Sequence, residues 1–116
     1  MNYELLFLKS LVLTILIETF VMIIFFRLLI KRKDVEISRL LITGFIASFA
    51  TLPYLWFILP VYIDQKIWYM IIGESFAVLL ETIIIRSILR TKLTISFLCS
   101  LICNTLSFLA GLIINL

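Results

Sequence analysis

The sequence contains no histidine and only two cysteines, three glycines and two prolines, and only 15% of its 116 residues are charged. The absence of histidine excludes imidazole ligation of heme and a Ser-His-Asp triad. Two thiols also fall short of the four nitrogen or sulfur ligands of a structural zinc site. The sequence has no glycine-rich nucleotide loop that ends in Gly-Lys. We therefore expect a chain that is not an enzyme and that holds no cofactor and no metal.

The chain is instead predominantly apolar, with 64% hydrophobic residues and a mean hydropathy of +1.25. A water-soluble domain of this size could not bury so much apolar surface. A helix that crosses a bilayer needs about 20 apolar residues, and the sequence holds four runs of that length. It predicts an all-α membrane protein, one domain over residues 1–116, with four transmembrane helices at about 11–30, 40–59, 67–89 and 93–116.

Basic residues lie mainly in the first and third connections, whereas the opposite side has only Lys9 and Lys66. The positive-inside rule then places both basic connections in the cytoplasm and both termini outside, and we expect the membrane to be that of a prokaryotic cell. The basic residues do not follow one polar face, so nucleic acid is not an expected partner. The residues in these connections are Arg27, Lys31, Arg32, Lys33, Arg39, Arg86, Arg90 and Lys92.

One basic cluster, Lys31, Arg32 and Lys33, directly follows the first apolar run. Such a cluster can hold anionic lipid head groups or contact a cytoplasmic partner. Its role in setting the topology is a sufficient alternative explanation.

Three carboxylates, Glu18, Glu74 and Glu81, lie inside the apolar runs. At 1.5 Å per residue, Glu18 lies about 13.5 Å from Arg27 and Glu81 the same distance from Arg90, near the middle of a bilayer. Glu74 precedes Glu81 by seven residues, which places it on nearly the same helix face, about two turns nearer the outside. A charge at the bilayer centre costs about 2.5–3.5 kcal/mol, so these side chains are expected to face the bundle or a partner.

Two interpretations of the glutamates compete. In one, Glu18 and Glu81 bind a proton or a cation, with Glu74 as an outer relay or gate. In the other, the glutamates hold helices or subunits together by hydrogen bonds or by pairing with cationic side chains. The candidate charge partners are Arg27, Arg86 and Arg90.

The second and fourth runs carry small and polar residues at helical spacing, which favours close helix packing. Asn104, in the fourth run, is the one member that we single out as a candidate for polar contact with the glutamates. Pro53 lies inside the second run and predicts a kink near residues 50–53.

The two halves of the sequence share a short pattern. Glu18 precedes Arg27 by nine residues and Glu81 precedes Arg90 by nine, and a threonine follows each glutamate. Since the first and third spans run in the same direction, a duplication would give two helical hairpins related as a parallel repeat. The alternative is that the pattern recurs by chance, because the sequence is built mainly from a few residue types.

These features favour a small non-enzymatic membrane subunit or oligomeric component whose buried glutamates organise helix or partner contacts. The alternative function is a proton- or cation-coupled small transporter or channel that uses Glu18 and Glu81. One four-helix unit leaves little interior space for an ion or substrate path. Both hypotheses therefore predict self-association or other membrane subunits as partners, besides the lipid bilayer.

The predicted orientation is testable by cysteine labelling of intact cells. Cys99 and Cys103 lie on one face of the fourth run and are expected to be buried and inert, so new cysteines will dominate the signal. We expect a membrane-impermeant maleimide to label Asn2→Cys and Asn115→Cys without permeabilisation, and Lys33→Cys only after it. Tails that react only from the cytoplasm would reject this orientation.

Overall fold

The computed structural model describes residues 2–31 and 34–114, and all regular structure within them is helical. Each of the four long helices is long and apolar enough to cross a membrane, which confirms the all-helical prediction and is consistent with an integral membrane location. Arg32 and Lys33 of the predicted basic cluster lie outside the described residues. The helices are α1 (Tyr3–Leu29), α2 (Ile37–Tyr62), α3 (Lys66–Leu89) and α4 (Leu93–Ile114).

Helix α1 begins eight residues before the expected start of its span. The side chain of Asn2 accepts a hydrogen bond of 2.8 Å from the backbone N–H of Leu5, and this N-cap satisfies one of the free donors of the first turn. The helix therefore includes Lys9. Helix α3 ends at Leu89 because Arg90 adopts a left-handed conformation with φ of 54°.

The four helices form a ring in which each packs against two neighbours. Helix α1 packs against α2 and α4, and α3 packs against α2 and α4, while the diagonal pairs make little backbone contact among the described residues. Successive helices run in opposite directions because their connections are short. Helices α1 and α3 are thus parallel and stand diagonally across the bundle.

The bundle has an apolar outer surface and many polar groups inside. Large apolar side chains face outward along every helix, among them Phe20, Phe49, Leu79 and Leu109. The buried positions include many hydroxyl, amide and carboxyl groups, among them Glu18, Thr43, Ser48, Thr51, Glu81, Thr82, Ser96, Ser100 and Asn104. This distribution is the opposite of the one expected of a protein folded in water.

The second half of α2 departs from α-helical geometry at a different place from the predicted kink. The helix is α-helical through Pro53, and a π-helical turn follows at Tyr54–Ile58. In this turn the N–H of Leu59 donates to Tyr54, which frees the carbonyl of Leu55. The hydroxyl of Tyr69 on α3 donates to that carbonyl oxygen.

A second free carbonyl follows in the same segment. Pro60 has no N–H, so the carbonyl of Trp56 loses its helical donor. The hydroxyl of Tyr3 on α1 donates to Trp56 at 2.5 Å. The π-helical turn is therefore hydrogen-bonded to both neighbouring helices, to α1 through Tyr3 and to α3 through Tyr69.

Helices α1 and α2 approach each other closely at Gly44. A Cβ atom at this position would lie 2.4 Å from Oγ1 and 3.3 Å from Cα of Thr19. Gly44, Ala47, Ser48 and Thr51 are all buried, so the predicted small-residue face of α2 does face the bundle.

Substitution at Gly44 tests this approach. We expect Gly44→Val to destabilise the fold by about 1–3 kcal/mol, because the added methyl groups force α1 and α2 apart. Gly111→Val is the matched control, since a Cβ there meets no described atom within 4 Å. Thermal unfolding in a mild detergent measures both, and equal shifts in the two variants would contradict the close packing.

Candidate functional site

The side chains of Glu18 and Glu81 meet at the centre of the bundle. Glu18 comes from α1 and Glu81 from the diagonally opposite α3, and each side chain is only 1% exposed. Their carboxyl groups lie within hydrogen-bonding range of each other. Both residues lie within about 5 Å of the midpoints of their helices, at 1.5 Å per residue. The structure thus brings together two of the three predicted glutamates.

Helix α2 places one hydroxyl group beside each carboxyl group. Oγ of Ser48 donates to Oε2 of Glu18 at 3.2 Å. Oγ1 of Thr51 lies 3.3 Å from Oε2 of Glu81 and 2.9 Å from the carbonyl oxygen of Ala47. Ser48 and Thr51 are fully buried and three residues apart, so one helical turn presents both hydroxyls on the same face.

Helix α4 closes the fourth side of the site. The amide nitrogen of Asn104 donates to the carbonyl oxygen of Ser100 at 2.8 Å, and the amide lies within hydrogen-bonding range of Glu81. The hydroxyl of Ser100 donates to the carbonyl of Val78 at 2.8 Å, and Sγ of Cys103 lies 3.8 Å from the carbonyl oxygen of Glu18. The predicted polar contact Asn104 therefore lies beside the glutamates.

The carboxyl pair is without a compensating cation among the described residues. No ion pair joins Glu18 or Glu81 to a described basic side chain, and Oε1 of each glutamate has no hydrogen-bond donor. Two carboxylates in contact in a buried site repel each other strongly, so both cannot be ionised without a cation. The arrangement fits one shared proton or one small bound cation.

The three arginines that were candidate charge partners do not reach the pair. The guanidinium of Arg27 donates to the carbonyl oxygen of Val35 at 2.7 Å. Arg86 and Arg90 have exposed side chains near the end of α3. Lys31 is exposed next to the end of α1, with a left-handed φ of 61°.

Glu74 does not join the pair but lines a cavity beside it. This inner cavity has a volume of about 300 Å³ and lies on the side of the pair toward the chain termini. It extends from Glu74 and Asn104 to Ser10 and Trp56, and Thr14, one helical turn before Glu18, lies in its wall. Its other polar lining groups belong to Tyr69 and Ser107.

On the opposite side of the pair, the interior is filled by apolar and thiol side chains. This cluster, the inner plug, closes the bundle toward the end that carries the basic connections. Its members are Met22, Phe25, Phe26, Val35, Leu40, Ile85, Leu89, Cys99 and Cys103. The pair is therefore next to a cavity with both polar and apolar lining on one side and a packed core on the other.

Ser48 and Thr51 are among the small and polar residues of the second run, for which the sequence favours packing and leaves donation of their hydroxyls to the glutamates as the alternative. Their spacing places them on one face of α2, but the pairing of each hydroxyl with a different glutamate depends on the helix arrangement. The signal available in the sequence was a pair of hydroxyl residues at the depth of Glu18 and Glu81.

The fold and the site define a four-helix bundle of membrane-spanning length with a carboxyl pair at its centre. Comparison of the chain with protein-family models, with curated proteins and with solved structures finds no match in any of the three.

Substitution of Glu18 tests whether the pair holds a single proton. Glutamine is isosteric with a protonated glutamate, and its amide can donate to Glu81. We therefore expect Glu18→Gln to change the free energy of unfolding by less than about 1 kcal/mol. Glu18→Ala leaves a void and strands the hydroxyl of Ser48, and we expect it to cost about 2 kcal/mol or more.

Unfolding in detergent near neutral pH measures both variants, with Glu4→Gln as a control at an exposed carboxyl. A glutamine variant as unstable as the alanine variant would contradict a shared proton, because it would mean that the native pair needs both charges.

Proposed function

We propose that this chain is a small, non-enzymatic integral membrane protein that binds a proton or a small cation between Glu18 and Glu81. Four membrane-spanning helices and a surface of apolar side chains around a polar interior support the membrane location. The charge distribution supports an orientation with both termini outside and the basic connections in the cytoplasm of a prokaryotic cell.

The observation that carries the ion-binding role is the unaccompanied carboxyl pair. A helix contact alone does not require two carboxyl groups, since hydroxyls or amides hold membrane helices together at lower desolvation cost. Here each carboxyl has one hydroxyl group within 3.3 Å and keeps one oxygen without a donor among the described residues. A proton or a small cation placed between those oxygens satisfies both.

The surroundings of the pair support access of an ion from the side of the inner cavity. In the proposed orientation, the inner cavity lies on the outer side of the pair, next to it through Thr14 and Asn104, and Glu74 in its wall serves as a relay. The inner plug lies between the pair and the cytoplasm. A continuous open pore would need polar lining on both sides, so a carrier or an ion-binding subunit fits better than an open channel.

A second candidate function is that of a membrane subunit whose glutamates only organise helices. The observation that favours it is the bonding of both carboxyls to one turn of α2, which ties α1 and α3 to the same helix. In either case we propose assembly with further copies or other membrane subunits, because one four-helix unit leaves little interior for a path.

We also propose that the two halves are a parallel repeat. The diagonal, parallel placement of α1 and α3, with their glutamates meeting on the bundle axis, is what a two-fold relation along that axis requires.

Ion flux in proteoliposomes tests the proposed function. A pH-sensitive dye inside the vesicles reports proton movement under an imposed potential. In a second series, a sodium gradient replaces the imposed potential. We expect flux from the native chain that falls to the level of protein-free vesicles in Glu18→Gln and Glu81→Gln, because each substitution removes an exchangeable site. Glu4→Gln is the matched control and should keep native flux.

The same preparations separate the two candidates when their assembly is measured in mild detergent. Loss of flux with an unchanged assembly supports ion exchange. If the native chain moves no ion at any pH, and the glutamine variants fall apart into smaller species, the subunit role is correct instead.

A further inference from the structure

A second cavity, here called the lateral groove, opens on the outer surface of the bundle between α3 and α4. Its volume is about 490 Å³, within the range of sites for small molecules. Its rim is formed by outward-facing apolar side chains, including Leu79, Phe97 and Leu101. With the helices in a bilayer, as proposed above, this groove opens into the hydrocarbon.

The lateral groove also has polar lining residues. Glu74 and Asn104 line it, and Asn104 is only 8% exposed. Asn104 uses its amide nitrogen toward Ser100, so its carbonyl oxygen faces no described donor. The carboxyl group of Glu74 likewise has no hydrogen-bond donor among the described residues. Two acceptors thus line a mainly apolar groove, whose other polar lining groups are the hydroxyls of Ser75 and Thr105.

The lining residues of the lateral groove determine which class of molecule can bind there. An acyl chain would leave both acceptors against hydrocarbon, which is costly. An anion would be repelled by Glu74, and no lysine or arginine is in the lining. A protonated amine donates N–H bonds to both acceptors and neutralises the carboxylate. Its apolar body then lies against Phe97 and Phe108.

We propose that the lateral groove is a binding site for a protonated amine with an apolar body that reaches it from the membrane. Glu74 binds the ammonium group and the carbonyl oxygen of Asn104 accepts a second N–H. This site requires the proposed membrane location but does not require ion exchange at Glu18 and Glu81.

Equilibrium binding of radiolabelled 4-phenylbutylamine to the full chain in lipid nanodiscs tests the proposal, with empty nanodiscs as the background for partitioning. Two matched compounds separate the possible interactions. 4-Phenylbutanol has the same body without charge, and the N,N,N-trimethyl derivative keeps the charge without an N–H. We expect saturable binding of the amine above background, and at least about tenfold weaker binding of both analogues, because the alcohol lacks the charge and the quaternary ammonium lacks the N–H donor.

The variants locate the site. We expect Glu74→Gln to weaken amine binding by about tenfold or more, and Glu4→Gln to leave it unchanged. Glu18→Gln should keep amine binding even if it abolishes ion flux, so the two proposals fail separately. The inference is overturned if no saturable amine binding is seen, if the alcohol or the quaternary compound binds as tightly as the amine, or if Glu74→Gln binds like the native chain.

Discussion

The contact between two buried carboxyl groups with no compensating cation is the constraint that the rest of the interior satisfies. Desolvation makes an isolated carboxylate costly, and proximity makes a second one more costly still. Hydroxyl groups from α2 and an amide group from α4 lie next to the pair, and such groups stabilise a carboxyl without adding charge. The polarity of the interior follows from this requirement, since every helix contributes at least one polar side chain at the depth of the pair.

Much of this architecture could be predicted from the sequence, for identifiable reasons. The apolar runs and their charged ends determine the number of helices, because length and hydropathy are local properties. The depth of Glu18 and Glu81 also follows from counting residues. Asn104 was identified because an amide inside an apolar run needs a partner, and the partner lies beside it in the structure.

The remaining features depend on how the helices are arranged, which no local pattern contains. The start of α1 depends on the N-cap at Asn2, although the apolar run becomes continuous only later. The meeting of Glu18 with Glu81 requires the diagonal placement of α1 and α3. The π-helical turn at Tyr54–Ile58 arises between two prolines, but its stability depends on hydroxyl donors from Tyr3 and Tyr69 on other helices. Arginine pairing with the glutamates was a reasonable hypothesis from spacing, yet the arginines lie at the helix ends.

The structural role of the pair and its proposed ion-binding role are physically coupled in this bundle. Ser48 and Thr51 lie on one turn of α2, so a rotation or shift of that helix changes the donors of both glutamates together. Conversely, a change in the charge of the pair changes the strength of both hydrogen bonds, because bonds to a charged acceptor are stronger than bonds to a neutral one. Helix α2 also contacts α1 closely at Gly44 and holds the π-helical turn further along. If the pair exchanges a charge as proposed, that exchange acts on α2, which links α1 to α3 and also lines the inner cavity through Leu52 and Leu55.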